Sequence, residues 1–335
     1  ERGAEPKYFD IEAAERGQEG DTGRFGERVY EYTQTHLPVR EQRVAVGHAV
    51  RAVYMYSAMA DLAALDGDEG LAEACRVLWE DLTRRQMFIT GGIGQEEHWE
   101  GFSRDYDLPN DMTYNETCAS VGLVFWAKRM AALELKGDYH DIAEKALYNG
   151  VLSGMSLDGK KYFYVNLLES DPKEIAARRD TDYAAPTRQG WFACACCPPN
   201  LARLIASLGA YQFSRDESSV AIHLYFSGKA RIPVAGTSVS ISVEGDYPWG
   251  ERLRIRIDPA STARFILRAR VPGWCDSFEA SVGGELYREI GEGYLVIERN
   301  WEPGDVVELL FRMPVRRMRA HPSVRADAGK VALTR

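Results

Sequence analysis

The sequence is poor in cysteine, with six in 335 residues. That is too few for the disulfide framework of a small secreted domain. It points to a reducing compartment, so a cytoplasmic location is expected. Positive charge is in deficit as well: 41 Lys and Arg stand against 50 Asp and Glu, a net charge of −9. A nucleic-acid partner is therefore not expected. No apolar run approaches the length of a membrane span, and no apolar leader opens the chain, so no membrane partner is expected either. The chain starts at Glu1 and stops at Arg335 inside an apolar run, which makes both ends look truncated. There is no low-complexity segment. What remains is an ordinary globular composition, 45% hydrophobic and 27% charged, long enough for two domains.

The hydrophobic period divides the chain. Residues 1–40 read as a polar, then aromatic, surface loop. In 41–65, Val44, Ala45, His48, Ala49, Ala52, Val53, Tyr56 and Met59 fall on one helical stripe. Asp66-Gly67-Asp68 stops that helix and restarts a second, with which it forms an antiparallel hairpin. A long helix is expected over roughly 111–136, another over 139–152 and a last one over 200–213. Residues 160–168 read as a strand or extended arm. From about residue 218 the segments become short, β-branched and divided by Gly, Pro and Asp: 220–226, 238–243, 253–257, 263–270, 280–282, 293–297 and 306–311. Such spacing predicts a β-sandwich. The expected class is thus α+β and multidomain. Helical hairpins in residues 1–215 fit part of an α/α toroid; a sandwich follows over 216–320, and 321–335 would begin a further segment.

Three of the six cysteines crowd into Cys194-Ala195-Cys196-Cys197-Pro198-Pro199-Asn200. Pro198 restricts the residue before it, and Asn200 reads as the N-cap of the following helix. Neighbouring cysteines do not readily bridge each other. The thiols could be buried, could pair elsewhere, or could ligate a metal. Glu116 and Cys118 offer a second cluster, and with Cys196 and Cys197 they would give a site of one oxygen and three sulfurs. Cys118 and Cys196 lie far outside zinc-finger spacing, so spacing rules lend this no support.

Other constellations have bland alternatives. Gly91-Gly92-Ile93-Gly94 lacks the Lys and Ser/Thr of a phosphate loop, and its glycines fit a close backbone approach better. Glu100 stands between Trp99 and Phe102, where desolvation would raise its pKa and suit a general acid; an exposed loop carboxylate is the plain alternative. His48, on an apolar helical stripe, reads most simply as a core histidine. Tyr164 could be packing only, and Trp191 and Phe192 could be core or a platform for a sugar. Cys75 and Cys275 read as inert.

Several stretches together resemble glycoside hydrolase family 127, the β-L-arabinofuranosidase family: Thr90-Gly91-Gly92-Ile93-Gly94, Asp105-Tyr106-Asp107-Leu108-Pro109-Asn110-Asp111, Tyr114-Asn115-Glu116-Thr117-Cys118-Ala119, Tyr164-Val165-Asn166, and the run from Cys194 to Asn200. The resemblance implies a partial (α/α)6 barrel, N-terminally incomplete, followed by a β-sandwich. It implies zinc held by Glu116, Cys118, Cys196 and Cys197, with Cys196 as nucleophile, Glu100 as acid/base, and His48 and Tyr164 as sugar contacts. The implied partner is a small or oligomeric glycoside; a homodimer is also compatible. Trp99 departs from the family pattern beside Glu100. A zinc-bound thiolate would attack the anomeric carbon, Glu100 would protonate the leaving oxygen, and water would then release the sugar with retention. Two other classes compete: a carbohydrate-binding or scaffold protein with a structural zinc, and a sugar isomerase or epimerase on the same toroid.

Overall fold

The computed structural model describes residues 3–18, 28–177 and 183–335. The chain divides into two compact units: Glu1–Leu133 with Ile142–Ala202 and Arg319–Val331, and Glu134–Asp141 with Arg203–Met318 and Ala332–Arg335. No helix among the described residues is long and apolar enough to cross a membrane.

The first unit is helical. α1 (Tyr8–Glu15) and α2 (Val29–Tyr32) lie where a surface loop was expected. α1 buries no side chain, so it has no apolar stripe to betray it. The expected hairpin is α3 (Ala49–Asp66) and α4 (Glu69–Arg85). Gly67 ends α3 in the left-handed region at φ 65°, and Asp68 caps α4 by accepting from the Leu71 N–H at 3.0 Å. α5 (Thr117–Leu133) starts later than residue 111. Every residue of it from Thr117 to Ala127 is buried, as befits an interior helix. Trp126, fully buried, has the Tyr56 and Trp79 rings each 4.9 Å away, centroid to centroid. α6 (Gly137–Lys145) runs into a π-helical turn, Ala146–Val151. α7 (Pro172–Ala177) and the start of α8 (Cys197–Ser207) complete the set, while α9 (Gly209–Gln212) falls in the second unit.

Two close approaches explain the glycine loop. A Cβ on Gly91, at φ 80°, would meet the Ala146 backbone at 2.7 Å, and one on Gly92 would meet Asn115 Oδ1 at 1.9 Å. The expected extended arm is present as well. It is not a strand of a sheet but is zipped to residues 115–117. Asn115 Nδ2 donates to Asn166 O at 2.9 Å, Asn166 Nδ2 to Asn115 O at 3.0 Å, and the Thr117 N–H to Tyr164 O at 3.0 Å. Segment 319–331 belongs to this unit, where Asn110 Nδ2 donates to Asp327 at 2.9 Å and Tyr106 stacks on His321.

The second unit holds all the named strands. They are β1 (Phe213–Arg215), β2 (Ser219–Ile222), β3 (Gly228–Val234), β4 (Thr237–Gly245), β5 (Arg252–Pro259), β6 (Ala263–Arg270), β7 (Phe278–Val282), β8 (Glu285–Leu286), β9 (Ile290–Gly291), β10 (Tyr294–Trp301), β11 (Asp305–Phe311), β12 (Arg316–Met318) and β13 (Ala332–Thr334). One sheet has the order β1-β2-β6-β10-β9 and another β3-β4-β5-β11-β7-β8, while β12 and β13 pair alone. Only β2 and β6 run parallel among these pairs. Alternate side chains are buried along β4 and β5, as half-buried strands require. β3 was not foreseen because it contains Pro233; it sits at a sheet edge, where proline is tolerated.

A polar cluster lies inside this unit. The rings of His140 and His223 stack 3.9 Å apart. Tyr294 Oη is 2.8 Å from His223 Nδ1 and 3.2 Å from His140 Nδ1, and His223 Nε2 meets Ser214 Oγ at 2.8 Å. Fully buried Arg270 donates to His223 O at 2.6 Å and pairs with Asp141, whose other oxygen accepts from the Gly273 N–H at 3.0 Å.

Candidate active site

The start of α8 corrects one expectation. Helical backbone begins at Cys197, and Pro198 and Pro199 occupy the first turn, where the missing N–H groups have no intrahelical partner to lose. Asn200 is therefore inside the helix and is not its cap. Cys197 and Asn200, three apart, share a face of α8. All six cysteines are free thiols, which removes the disulfide reading.

Glu116 immediately precedes α5 and Cys118 lies in its first turn. The zipped arm brings Tyr164 alongside them. These elements gather Glu116, Cys118, Cys196 and Cys197, whose ligand atoms all lie within 4.8 Å of one another, close enough to hold a metal ion. Cys118 and Cys197 sulfurs are 3.5 Å apart, and Cys196 and Cys197 sulfurs 3.7 Å. Glu116 Oε1 is 3.2 Å from Cys196 Sγ and 3.7 Å from Cys197 Sγ. Tyr164 Oη stands 3.1 Å from Cys196. Cys118 and Cys197 are buried; Cys196 is partly open.

Glu100 sits on a tight turn at φ 53°, closed by mutual backbone bonds between Glu96 and Gly101 at 2.9 Å. Its carbonyl accepts the Ala49 N–H at 3.0 Å, which pins the turn to the start of α3. His48 is not on the apolar stripe of α3 but at its N-cap, with Nδ1 accepting from the Arg51 N–H at 3.4 Å. His48 Nε2 is 3.2 Å from Glu100 Oε2. His48, Glu100 and Glu116 again lie within 4.8 Å of one another, so Glu116 belongs to both groups. Trp99 is turned inward, with Arg28 4.1 Å above its ring and Tyr32 6.3 Å away. Trp191 is 65% exposed, whereas Phe192 is buried against Tyr162 and Tyr164.

The protein groups alone concentrate negative charge on one sulfur. Hydrogen bonds from Cys118 and Cys197, then Tyr164 and Glu116, hold the Cys196 thiol far below the ordinary thiol range. Burial pushes Cys197 up, and burial beside Cys196 pushes the Glu116 carboxyl up. Glu116 Oε2 is buried without a hydrogen-bond partner. A buried carboxylate next to a thiolate is costly unless a cation joins them.

Comparison with known proteins agrees with this geometry. The profile of the β-L-arabinofuranosidase GH127 catalytic domain matches residues 3–210, and that of the GH127 middle domain matches residues 219–313. The chain belongs to glycoside hydrolase family 127. Among relatives of this family, a non-reducing end β-L-arabinofuranosidase of Bifidobacterium longum is 38% identical over 313 residues, covering 91% of this chain and 47% of that protein. The crystal structure of a GH127 β-L-arabinofuranosidase from Geobacillus stearothermophilus T6 is 52% identical with a TM-score of 0.95, covering 99% of this chain and 52% of that one. A further GH127 β-arabinofuranosidase structure is 39% identical with a TM-score of 0.85, over 93% of this chain and 50% of that one. The chain thus spans about half the length of these family 127 proteins.

Two residues that touch the thiol group had no functional signal in the sequence. Asn200 Nδ2 is 3.0 Å from Cys118 Sγ, and Tyr54 Oη is 3.0 Å from Asn200 Oδ1. The three-residue spacing of Cys197 and Asn200 could have flagged Asn200 had the helix start been placed correctly.

Proposed function

We propose that this chain carries the active centre of a retaining β-L-arabinofuranosidase, with Cys196 as nucleophile and Glu100 as general acid/base. The observation that carries the reading is the partly open Cys196 thiol, held low by its neighbours and joined through Glu116 to a histidine-paired carboxyl. Buried Cys118 and Cys197 are poorly placed to meet a sugar.

Glu116, Cys118, Cys196 and Cys197 suit zinc. Cys197 Sγ lies 3.5 Å from Cys118 Sγ and 3.7 Å from Cys196 Sγ, and Glu116 Oε1 lies 3.2 Å from Cys196 Sγ and 3.7 Å from Cys197 Sγ, so the four side chains would hold one ion among them. The orphaned Glu116 oxygen and the crowding of three sulfurs fit the same group. Zinc would supply positive charge that keeps the sulfurs ionised at neutral pH. Cys196 then attacks the anomeric carbon as the C–O bond breaks, and Glu100 hands its proton to the leaving oxygen. Glu100, now ionised, takes a proton from water as that water displaces the sulfur, so the configuration is retained. His48 orients Glu100, and Tyr164 donates to Cys196 and faces the sugar.

The helical hairpin and interior α5 support the wider reading of a partial (α/α)6 barrel over 1–215 followed by a β-sandwich over 216–320, with a short segment from 321 to 335. The two family profiles, divided near the same place, support that boundary. Free thiols suit a reducing compartment.

The test uses a nitrophenyl β-L-arabinofuranoside with the intact enzyme. Cys196→Ser forms no adduct and has no turnover. Glu100→Gln loses about 10²–10⁴-fold in turnover and accumulates a glycosyl adduct on Cys196, visible by mass spectrometry, because a good leaving group needs little acid help. Full activity in Glu100→Gln, or an adduct on another residue, overturns the assignment. A binding protein with a structural zinc would show neither turnover nor adduct.

A further inference from the structure

The thiol group poses a question of selectivity. Three sulfurs stand within a few ångströms, and the reading above makes one of them, Cys196, both ligand and nucleophile. The environments of the three differ. Cys197 is enclosed at the start of α8. Cys196 faces the Tyr164 hydroxyl. Cys118 alone of the three meets an amide: Asn200 Nδ2 at 3.0 Å.

That amide has a defined direction. Tyr54 Oη donates to Asn200 Oδ1 at 3.0 Å, and the nitrogen is turned toward Cys118. The reverse orientation would set a carbonyl oxygen against an ionised sulfur, whereas the Tyr54 hydroxyl, donor and acceptor both, serves the orientation that the sulfur demands. Tyr54 is itself steadied by the Phe125 ring, stacked at 6.2 Å. An N–H donated to a thiolate withdraws charge from the sulfur. It lowers nucleophilicity and fixes the direction of the lone pair that a metal shares.

We infer that Asn200 is a positioning residue: oriented by Tyr54, its amide holds Cys118 as a metal-bound sulfur. The inference rests on the zinc reading above and extends it outward from the ligands. Tyr54, Asn200 and Cys118 form one relay, contributed by α3, α8 and α5 in turn. Loss of either outer member should therefore act through the sulfur.

The experiment measures the zinc dissociation constant of the intact protein by competition with a chromophoric chelator. It also records the thiolate-to-cobalt charge-transfer bands of the cobalt-substituted protein. Asn200→Ala weakens zinc binding about 10-fold or more, the usual effect of removing a hydrogen bond to a ligand, and shifts the cobalt bands. Tyr54→Phe gives a smaller change of the same sign, and it serves as the test should Asn200→Ala fold poorly. The double variant binds zinc as Asn200→Ala does, because Tyr54 acts only through Asn200. A role confined to packing would lower thermal stability, leave the cobalt bands in place and give additive losses. Unchanged zinc affinity in Asn200→Ala, or additivity in the double variant, overturns the inference alone. A wild-type protein that takes up no zinc overturns the zinc reading and the inference with it.

Discussion

The thiol group around Cys196 and the imidazole group around His223 are both buried and polar, and both draw on segments distant in sequence. In the second, the groups answer one another. Both nitrogens of His223 are engaged, the Tyr294 hydroxyl lies between two Nδ1 atoms, and both oxygens of Asp141 are taken. In the first, three sulfurs crowd a carboxyl whose Oε2 has no partner. A closed polar cluster is what a protein needs to bury hydrogen-bonding groups at little cost. A cluster left short of positive charge is unstable by itself and is suited to recruit a cation. The difference separates a closed polar core from a cluster able to hold a metal ion without reference to sequence motifs.

The sharpest break of this comparison is removal of metal. If zinc fills the thiol cluster as proposed, stripping it with a chelator should lower the thermal midpoint of the protein strongly, since structural zinc binding reaches about 10–16 kcal/mol in small zinc domains. Calorimetry before and after chelation checks this, and an unchanged midpoint in metal-bearing protein would remove the distinction. Next in size is Asp141→Ala, which removes a carboxylate partner of the fully buried Arg270. It should cost about 3–5 kcal/mol in denaturant unfolding while leaving zinc content intact. Tyr294→Phe removes the hydroxyl between the two histidines and should cost about 1–3 kcal/mol, again without loss of zinc.

The smallest effect concerns a surface turn of the same unit. Hydrogen bonds from the Ser219 hydroxyl, then from the Ser218 and Ser219 N–H groups, hold the Asp216 carboxyl below its ordinary value. A lowered folded-state pKa means that the stabilisation is present above the unfolded value of about 3.9 and is lost as pH falls through the folded value. Asp216→Ala should therefore cost at most about 1 kcal/mol near neutrality, reduced by its exposure, and nothing in strong acid. A loss that persists undiminished in acid would show that the turn is held by something other than the carboxylate.

Much of the reactive cluster was legible in the residues themselves. Soft and hard ligands stood out as two short clusters, and only their separation was opaque. The reason is physical: the segments meet because the arm at Tyr164 is zipped by Asn115, Asn166 and Thr117, and such pairing leaves no periodic trace. The longer sheet segments were visible through β-branched alternation, except β3, where Pro233 hid an edge strand; the two- and three-residue strands β1, β8, β9, β12 and β13 are too short to show a period. Asn200 was misread because a side chain that suits a cap was weighed above two prolines that suit a first helical turn. His48 was misread for the opposite reason, its apolar neighbours masking a cap. The closed cluster at His223 carried no signal at all, since its members come from a helix start and three strands.

The cap at α3 has a consequence for the carboxyl of Glu100. Because His48 Nδ1 accepts the Arg51 N–H, that nitrogen must keep its lone pair, and the neutral ring carries its hydrogen on Nε2. The tautomer is thereby locked by main-chain geometry. Nε2–H then points at Glu100 Oε2, which acts as acceptor. The remaining oxygen, Oε1, is the one left to bear an acidic hydrogen. On the proposed role of Glu100, the opening turn of a helix thus selects which of two chemically equal oxygens delivers the proton.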